Sequence, residues 1–149
     1  MELHTAGEYY QKKIEILYMV ASMLWKRKLS GVYNQTYFNN HPHEKDREGV
    51  LYGVILVNQK TFERECIKVG IASGKDWRHV IKRSRGFKGY DLRIQRTYHD
   101  TIYNCWKIEQ ELHEKYKHDS FKPLQKFGGH TECFEISSLI LRDFPKNKS

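Results

Sequence analysis

The sequence lacks any long hydrophobic run and has only three cysteines, and each shortage excludes a class of protein. No apolar stretch reaches the roughly 18 residues that a membrane-spanning helix requires. The cysteines are an odd number without a Cys-x-x-Cys pair, which argues against a disulfide framework or a zinc ribbon. Residues 1–8 lack the basic and apolar regions of a secretory signal. We therefore expect a cytoplasmic protein in a reducing compartment, without a membrane partner.

Positive charge and aromatic side chains, by contrast, are abundant. The 149 residues carry a net charge of +8, 13% of them are aromatic, and the apolar content of 39% is too high for a disordered chain. This length is typical of one domain. Residues 75–96 contain eight basic and two acidic residues, with aromatic residues interleaved. We call these residues the basic segment.

The basic segment is typical of a surface that binds nucleic acid, because its cations attract phosphates. A solvated helix face balanced by acidic residues elsewhere is the alternative. The candidate nucleic-acid-binding residues are Lys75, Lys82, Arg83, Arg85, Lys88 and Tyr90. DNA is therefore the expected partner.

The hydrophobic pattern predicts an N-terminal helix that is separated from the main domain. Apolar side chains recur at three- and four-residue steps from Tyr10 to Leu24, which indicates a helix within residues 1–32. Residues 33–48 are polar and predict a linker loop. Residues 49–144 are expected to form the main domain, and residues 145–149 a frayed tail.

Strands and helices alternate along the main domain. The apolar run from Val50 to Val57 predicts a buried strand, and a second strand is expected from Cys66 to Ile71. A helix then passes through Trp77, and the alternation that begins at Leu92 predicts a third, half-buried strand. Residues 101–116 predict the clearest helix. This order of elements indicates a small α+β domain.

Glu109 breaks the pattern of the helix predicted over residues 101–116. Trp106 and Leu112 lie three residues before and after it, so that Glu109 falls on the apolar face. A carboxylate on such a face is costly unless it is paired, hydrogen-bonded or bound to a metal. Glu109 is therefore a candidate site residue. Alternatively, it lies at the edge of the face and reaches solvent, or forms a structural ion pair with an arginine.

Five elements in order resemble the GIY-YIG nucleases over roughly residues 49–136. The first motif of that family corresponds to Tyr52 with the two residues before it, and the second corresponds to the segment from Lys68 to Gly70. Arg78 follows this glycine by eight residues, the spacing of the catalytic arginine of the family. Glu109 resembles the metal-binding glutamate.

The fifth element is the segment that contains Glu132 and Phe134, which resembles the ending of the short phage and bacterial members of the family. The sequence also departs from the family pattern. Lys68 stands where the second motif usually has tyrosine, as in some restriction-type members, and 15 residues separate it from Tyr52. The asparagine near the end of the family domain has no certain counterpart here.

The resemblance implies a small antiparallel three-stranded sheet flanked by helices, and a DNA endonuclease that depends on Mg²⁺ or Mn²⁺. It implies that Tyr52 is the general base, that Arg78 holds the scissile phosphate, and that Glu109 binds the metal. Lys68, on the neighbouring strand, is the cation expected to lower the pKa of the tyrosine from about 10. The catalytic candidates are Tyr52, Lys68, Arg78, Glu109 and His113, followed by Tyr90 and Glu132.

Two other functions remain open at this point. The first is a non-catalytic basic module that binds nucleic acid on the same scaffold, and the second is a protein whose basic face meets an acidic protein. Taken alone, Tyr52 also fits an ordinary strand aromatic, and His113 fits a surface residue. A nuclease of this kind is expected in restriction, phage DNA processing or repair. The N-terminal helix is a candidate for homodimer formation or DNA contact, because one active site cleaves one strand.

Overall fold

The computed structural model describes residues 11–17, 33–75, 77–78, 87–124 and 132–147. The chain divides into two compact units, residues 1–32 and residues 33–149. In the first unit, residues 11–17 form helix α1, where the apolar pattern predicts a helix, and the rest of that prediction lies outside the described residues. The division falls at the end of the expected N-terminal extension.

The second unit is built on an antiparallel sheet of four strands. The strands are β1 (Glu48–Asn58), β2 (Arg64–Ser73), β3 (Tyr90–Thr101) and β4 (Cys133–Glu135), in the order β3-β1-β2-β4. The expected α+β class is confirmed, but the expectation of a three-stranded sheet is wrong. The short strand β4 pairs with β2 and covers part of an edge that three strands alone leave open.

The central strand β1 divides the core of this unit in two. Every residue of β1 after Glu48 is buried, which agrees with the uninterrupted apolar run of the sequence. Leu51 and Ile55 belong to one buried cluster, together with Cys105 of the long helix, whereas Val50 and Tyr52 belong to the other. The alternation follows from strand geometry, since successive side chains point to opposite faces.

The long helix α3 (Ile102–Lys115) packs against β1 and β2. The hydroxyl of Thr101 caps its start by accepting a hydrogen bond from the Asn104 amide at 3.2 Å. Its buried residues recur at three- and four-residue steps and are Ile102, Cys105, Glu109 and Leu112. The predicted helix is therefore confirmed, together with the burial of its glutamate. In the parts of the chain that the structure describes, neither α3 nor another helix has the length and apolarity of a membrane span.

The expectation of a linker loop over residues 33–48 is wrong. This segment contains helix α2 (Gln35–Asn40) and a 3₁₀ helix (Pro42–Asp46). The Asn34 side chain caps α2 by accepting a hydrogen bond from the Tyr37 amide at 2.7 Å. Phe38 has no exposed surface and packs against the rings of Tyr103 and Trp106. One buried aromatic residue fixes the segment, although its neighbours are polar.

The expectation of a frayed tail is wrong for residues 145–147. The Asn147 side chain accepts a hydrogen bond from the His99 amide at 2.8 Å and donates one to the Thr97 carbonyl at 3.1 Å. Because β3 is an edge strand, these backbone groups face away from the sheet and need another partner. Residues 148–149 lie outside the described residues.

Candidate active site

The space for the site on β1 and β2 is created by Gly70. Tyr52 of β1 pairs in register with this glycine, and Lys68 lies two residues before it on β2. A methyl group built on Gly70 would lie 2.8 Å from the Tyr52 hydroxyl and 3.1 Å from Lys68 Nζ. Because glycine has no side chain, the polar ends of both residues occupy the surface of β2 above it.

Lys68 is a buried cation that is held by the carboxylate of the residue just before the neighbouring strand β4. Lys68 is 2% exposed, and its Nζ donates to Glu132 Oε2 at 2.7 Å. The pairing of β4 with β2 sets Cys133 opposite Lys68, and this brings the residue before Cys133 to the ammonium group. Burial lowers the pKa of Lys68, but the negative charges of Tyr52 in its ionised form and of Glu132 raise it by more, so the net shift is upward and the lysine stays charged.

Tyr52 is a neutral phenol in this environment. Burial raises the pKa of Tyr52, the charge of Lys68 lowers it, and the carboxylates of Glu132 and Glu109 raise it, with an upward net shift. The effect of Lys68 thus has the predicted sign but does not outweigh burial. The indole of Trp77 stacks on the tyrosine ring, with centroids 4.9 Å apart and planes at 11°.

Glu109 occupies the position that the helical pattern predicted, on the buried face of α3. It is 3% exposed, and its Oε1 accepts a hydrogen bond from the Gln110 side chain at 3.2 Å. Burial, followed by the charge of Glu132, raises the pKa of Glu109 well above its usual range, while Lys68 acts in the opposite direction. A second positive charge beside this carboxylate would therefore favour its ionised form.

His113 lies one helical turn after Glu109 and is tied to β2. Its Nε2 lies 2.9 Å from the Val69 carbonyl oxygen, just beyond the residues of β2 that pair with β4. Because a carbonyl only accepts hydrogen bonds, Nε2 carries the proton, and the neutral ring keeps its lone pair on Nδ1. Burial lowers the pKa of His113, so the neutral form is favoured.

The structure brings these side chains together in a group that can hold a metal ion. Glu109, His113 and Glu132 each offer one ligand atom, and the three atoms lie within 4.8 Å of one another. We use the term polar cluster for these three residues together with Tyr52 and Lys68. Carboxylate oxygens and an imidazole nitrogen are a suitable donor set for a divalent cation.

His113 and Glu132 differ in how far the sequence predicts their place in the polar cluster. His113 follows Glu109 by four residues, and this spacing places both on one helix face. Glu132 is far from both along the chain and reaches them through the pairing of β4 with β2. Trp77 was expected only as an apolar helix residue, and its stacking on Tyr52 depends on how the chain returns after β2.

Arg78 follows the stacked Trp77 directly and has an exposed side chain. Two candidates of the basic segment are also exposed, namely Lys88 and Lys75, whose Nζ lies 3.9 Å from Glu48 Oε1. Tyr90 is different, since it is 4% exposed and its hydroxyl donates to Glu65, so that it belongs to the core. Three further candidates fall outside the described residues, namely Lys82, Arg83 and Arg85.

Comparison of the chain with models of protein families, with curated proteins and with solved structures found no match. Function is therefore inferred from the geometry of the polar cluster and from the resemblance of its motifs.

Proposed function

We propose that the chain is an endonuclease that depends on a divalent metal and hydrolyses DNA phosphodiester bonds, on a scaffold like that of the GIY-YIG nucleases. The observation that carries the proposal is the convergence of the polar cluster, whose members come from β1, from β2, from α3 and from the residue just before β4. Three of its members, Tyr52, Lys68 and Glu109, correspond to motifs of that family. Burying so many polar groups costs free energy, and a core chosen only for stability avoids that cost.

Phosphodiester hydrolysis needs an activated water and positive charge at the phosphorus. In the proposed site, a bound Mg²⁺ or Mn²⁺ supplies positive charge beside the phosphate and makes its bound water more acidic. Glu109 would hold that ion, because its carboxylate lies in a group with His113 and Glu132 that can hold a metal. Arg78 is proposed to hold the phosphate, because a planar guanidinium matches phosphate oxygens with paired hydrogen bonds.

Tyr52 is proposed as the general base, and its surroundings indicate when it can act. Two of the influences that raise its pKa are the charges of Glu132 and Glu109. When these carboxylates hold a divalent cation, their effect on Tyr52 is offset, whereas the opposing effect of Lys68 persists. We therefore expect the pKa of Tyr52 to be lower in the metal-loaded protein, so that a larger fraction of the tyrosine is ionised and able to accept a proton.

The proposal is tested by cleavage of supercoiled plasmid at low salt, with Mg²⁺ and with Mn²⁺ separately. The wild type is expected to nick or cut the plasmid, and EDTA or the substitution Glu109→Gln is expected to abolish this. Glu114→Gln is the matched control, because Glu114 is an exposed residue of the same helix. A wild type that leaves the plasmid intact with both metals would contradict the proposal.

A non-catalytic module that binds nucleic acid is the second candidate. The observation that favours it is the ion pair of Lys68 with Glu132, which gives the buried ammonium a structural partner without any substrate. The two functions differ in one experiment: DNA that is shifted on a gel but never cleaved, in any divalent metal, identifies the binding module.

A further inference from the structure

We propose that Glu109, His113 and Glu132 form a metal site with three protein ligands, which selects Mn²⁺ and similar transition-metal ions over Mg²⁺. This extends the expectation from sequence, in which Glu109 alone binds the metal. The inference rests on the proposed function for its biological meaning, but metal binding is measured without DNA, so each can fail separately.

The three ligand atoms are spaced almost closely enough to bind one ion. Ligand atoms that share one ion, with bonds of about 2.1 Å, lie at most about 4.2 Å apart. The three ligand atoms of the proposed site already lie within 4.8 Å of one another, so a small rotation of the side chains suffices. Glu132 has the freedom for this rotation, because its side chain is 20% exposed.

The donor atoms of the site, carboxylate oxygens and an imidazole nitrogen, favour transition-metal ions. Mg²⁺ binds reluctantly to anything other than oxygen and keeps several waters, so one or two carboxylates are its usual protein ligands. An imidazole nitrogen instead favours transition metals, whose affinity rises from Mn²⁺ towards Cu²⁺. A site with two carboxylates and one imidazole therefore binds transition-metal ions more tightly than Mg²⁺. Mn²⁺ is the natural probe because it also accepts carboxylates readily.

The ring of His113 is anchored by a backbone carbonyl that lies outside the metal site. Its Nε2 donates to the Val69 carbonyl at 2.9 Å, so the ring is fixed to the backbone of β2. Histidines that bind metals commonly donate their other ring N–H to a carbonyl or carboxylate, which sets the tautomer and the orientation of the ring. The contact satisfies the Nε2 proton and leaves Nδ1 as the ring atom that is available to a metal ion.

The ion pair of Lys68 with Glu132 allows a metal site to be distinguished from a purely structural cluster. Lys68 Nζ donates to Glu132 Oε2 at 2.7 Å, so the ammonium competes with any metal ion for this carboxylate. Replacing the lysine by an uncharged residue of similar length removes the competitor. We therefore expect Lys68→Met to bind Mn²⁺ more tightly than the wild type, whereas a purely structural cluster predicts no gain.

The experiment measures Mn²⁺ binding to the full chain, without DNA, from the loss of the free-ion signal in electron paramagnetic resonance. We expect one Mn²⁺ per chain, with affinity reduced about tenfold or more by His113→Gln and by Glu132→Gln, since even changes around the ligands cost this much. Mg²⁺ in excess is expected to displace Mn²⁺ more easily from His113→Gln than from the wild type. His118→Gln is the matched control, because His118 is exposed.

The proposal is overturned if the wild type does not bind Mn²⁺, or if His113→Gln and Glu132→Gln both bind it as tightly as the wild type. Thermal unfolding identifies any variant that fails to fold. If His113→Gln does not fold, Glu132→Gln decides the question, because Glu132 is partly exposed and its replacement disturbs the core less. Binding with the expected pattern but without plasmid cleavage rejects the nuclease and keeps the metal site. Cleavage without dependence on His113 or Glu132 rejects the site and keeps the nuclease.

Discussion

Gly70 is the residue on which the positions of Tyr52 and Lys68 depend. In Gly70→Ala, the new methyl group meets the Tyr52 hydroxyl at 2.8 Å and Lys68 Nζ at 3.1 Å, so both side chains must move. We expect this variant to lose plasmid cleavage, and to lose about 1–3 kcal/mol of stability, which is typical of overpacking. Cleavage assays and thermal unfolding of the same preparation measure the two effects.

Gly74 provides the control for this substitution. Its φ is +93°, and a methyl group placed on it would meet nothing within 4 Å, so Gly74→Ala strains the backbone without touching the polar cluster. The expected cost is about 1–2 kcal/mol, with cleavage by the folded protein retained. Wild-type cleavage by Gly70→Ala would show that the placement of Tyr52 does not matter.

Glu109 is expected to make the stability of the metal-free protein depend on pH. Burial raises the pKa of Glu109 well above the ordinary 4.5, so between these values the folded state holds a proton that the unfolded state has released. The free energy of unfolding therefore falls as the pH rises through this range. In Glu109→Gln, the residue at this position is neutral at every pH, so its contribution to the dependence of the free energy of unfolding on pH is lost. Denaturant unfolding in EDTA, at a series of pH values, measures the difference between the two proteins.

His113 contributes with the opposite sign, but over a lower range. Burial lowers its pKa below the ordinary 6.5, so the unfolded state binds the extra proton and stability rises with pH up to that value. The two contributions overlap below pH 6.5, and the substitution Glu109→Gln removes only the contribution of Glu109. Glu114→Gln is expected to keep the wild-type slope. Equal slopes in the wild type and Glu109→Gln would contradict the raised pKa.

Helix α2 belongs to the folded unit because of one side chain. Phe38 is fully buried against Tyr103 and Trp106 of α3, so Phe38→Ala is expected to cost about 3–5 kcal/mol. Leu124→Ala is the control, because Leu124 is 77% exposed. Thermal unfolding followed by circular dichroism measures both, and equal losses would show that α2 does not contribute to the core.

The elements differ in how well local pattern predicts them. Strand β1 and helix α3 were predictable, because an unbroken apolar run and a three- and four-residue repeat are properties of neighbouring residues. Helix α2 was not, since Phe38 is its only buried residue and two of its aromatic partners, Tyr103 and Trp106, lie in a helix that is distant in sequence. Strand β4 has three residues, and only its pairing with β2 defines its place in the sheet.

For the protein as a whole, the basic segment is expected to govern affinity for DNA. Its described cations are exposed and comprise Lys75, Arg78, Lys88, Arg93 and Arg96. Counterions are released at every phosphate contact, so the logarithm of affinity should fall linearly with the logarithm of salt concentration. Replacing one of the exposed candidate residues, as in Lys88→Gln, should reduce this slope by about 1.

The measurement is a titration of a short duplex, followed by fluorescence anisotropy at several salt concentrations. Lys117→Gln is the control, because Lys117 is exposed but lies outside the basic segment and pairs with Glu114. It should leave the slope unchanged. An affinity that is the same at low and moderate salt would exclude phosphate contacts as the source of binding.

Local information in the chain was enough for the α+β class, the main strands, the long helix and the inward-facing Glu109, because periodicity and charge are properties of residues close together in sequence. The convergence of Lys68, Glu132 and His113 required the folded sheet, since only the pairing of β4 with β2 and the packing of α3 bring these side chains together. The protonation states of the polar cluster also follow from this packing, because burial and neighbouring charges set each pKa.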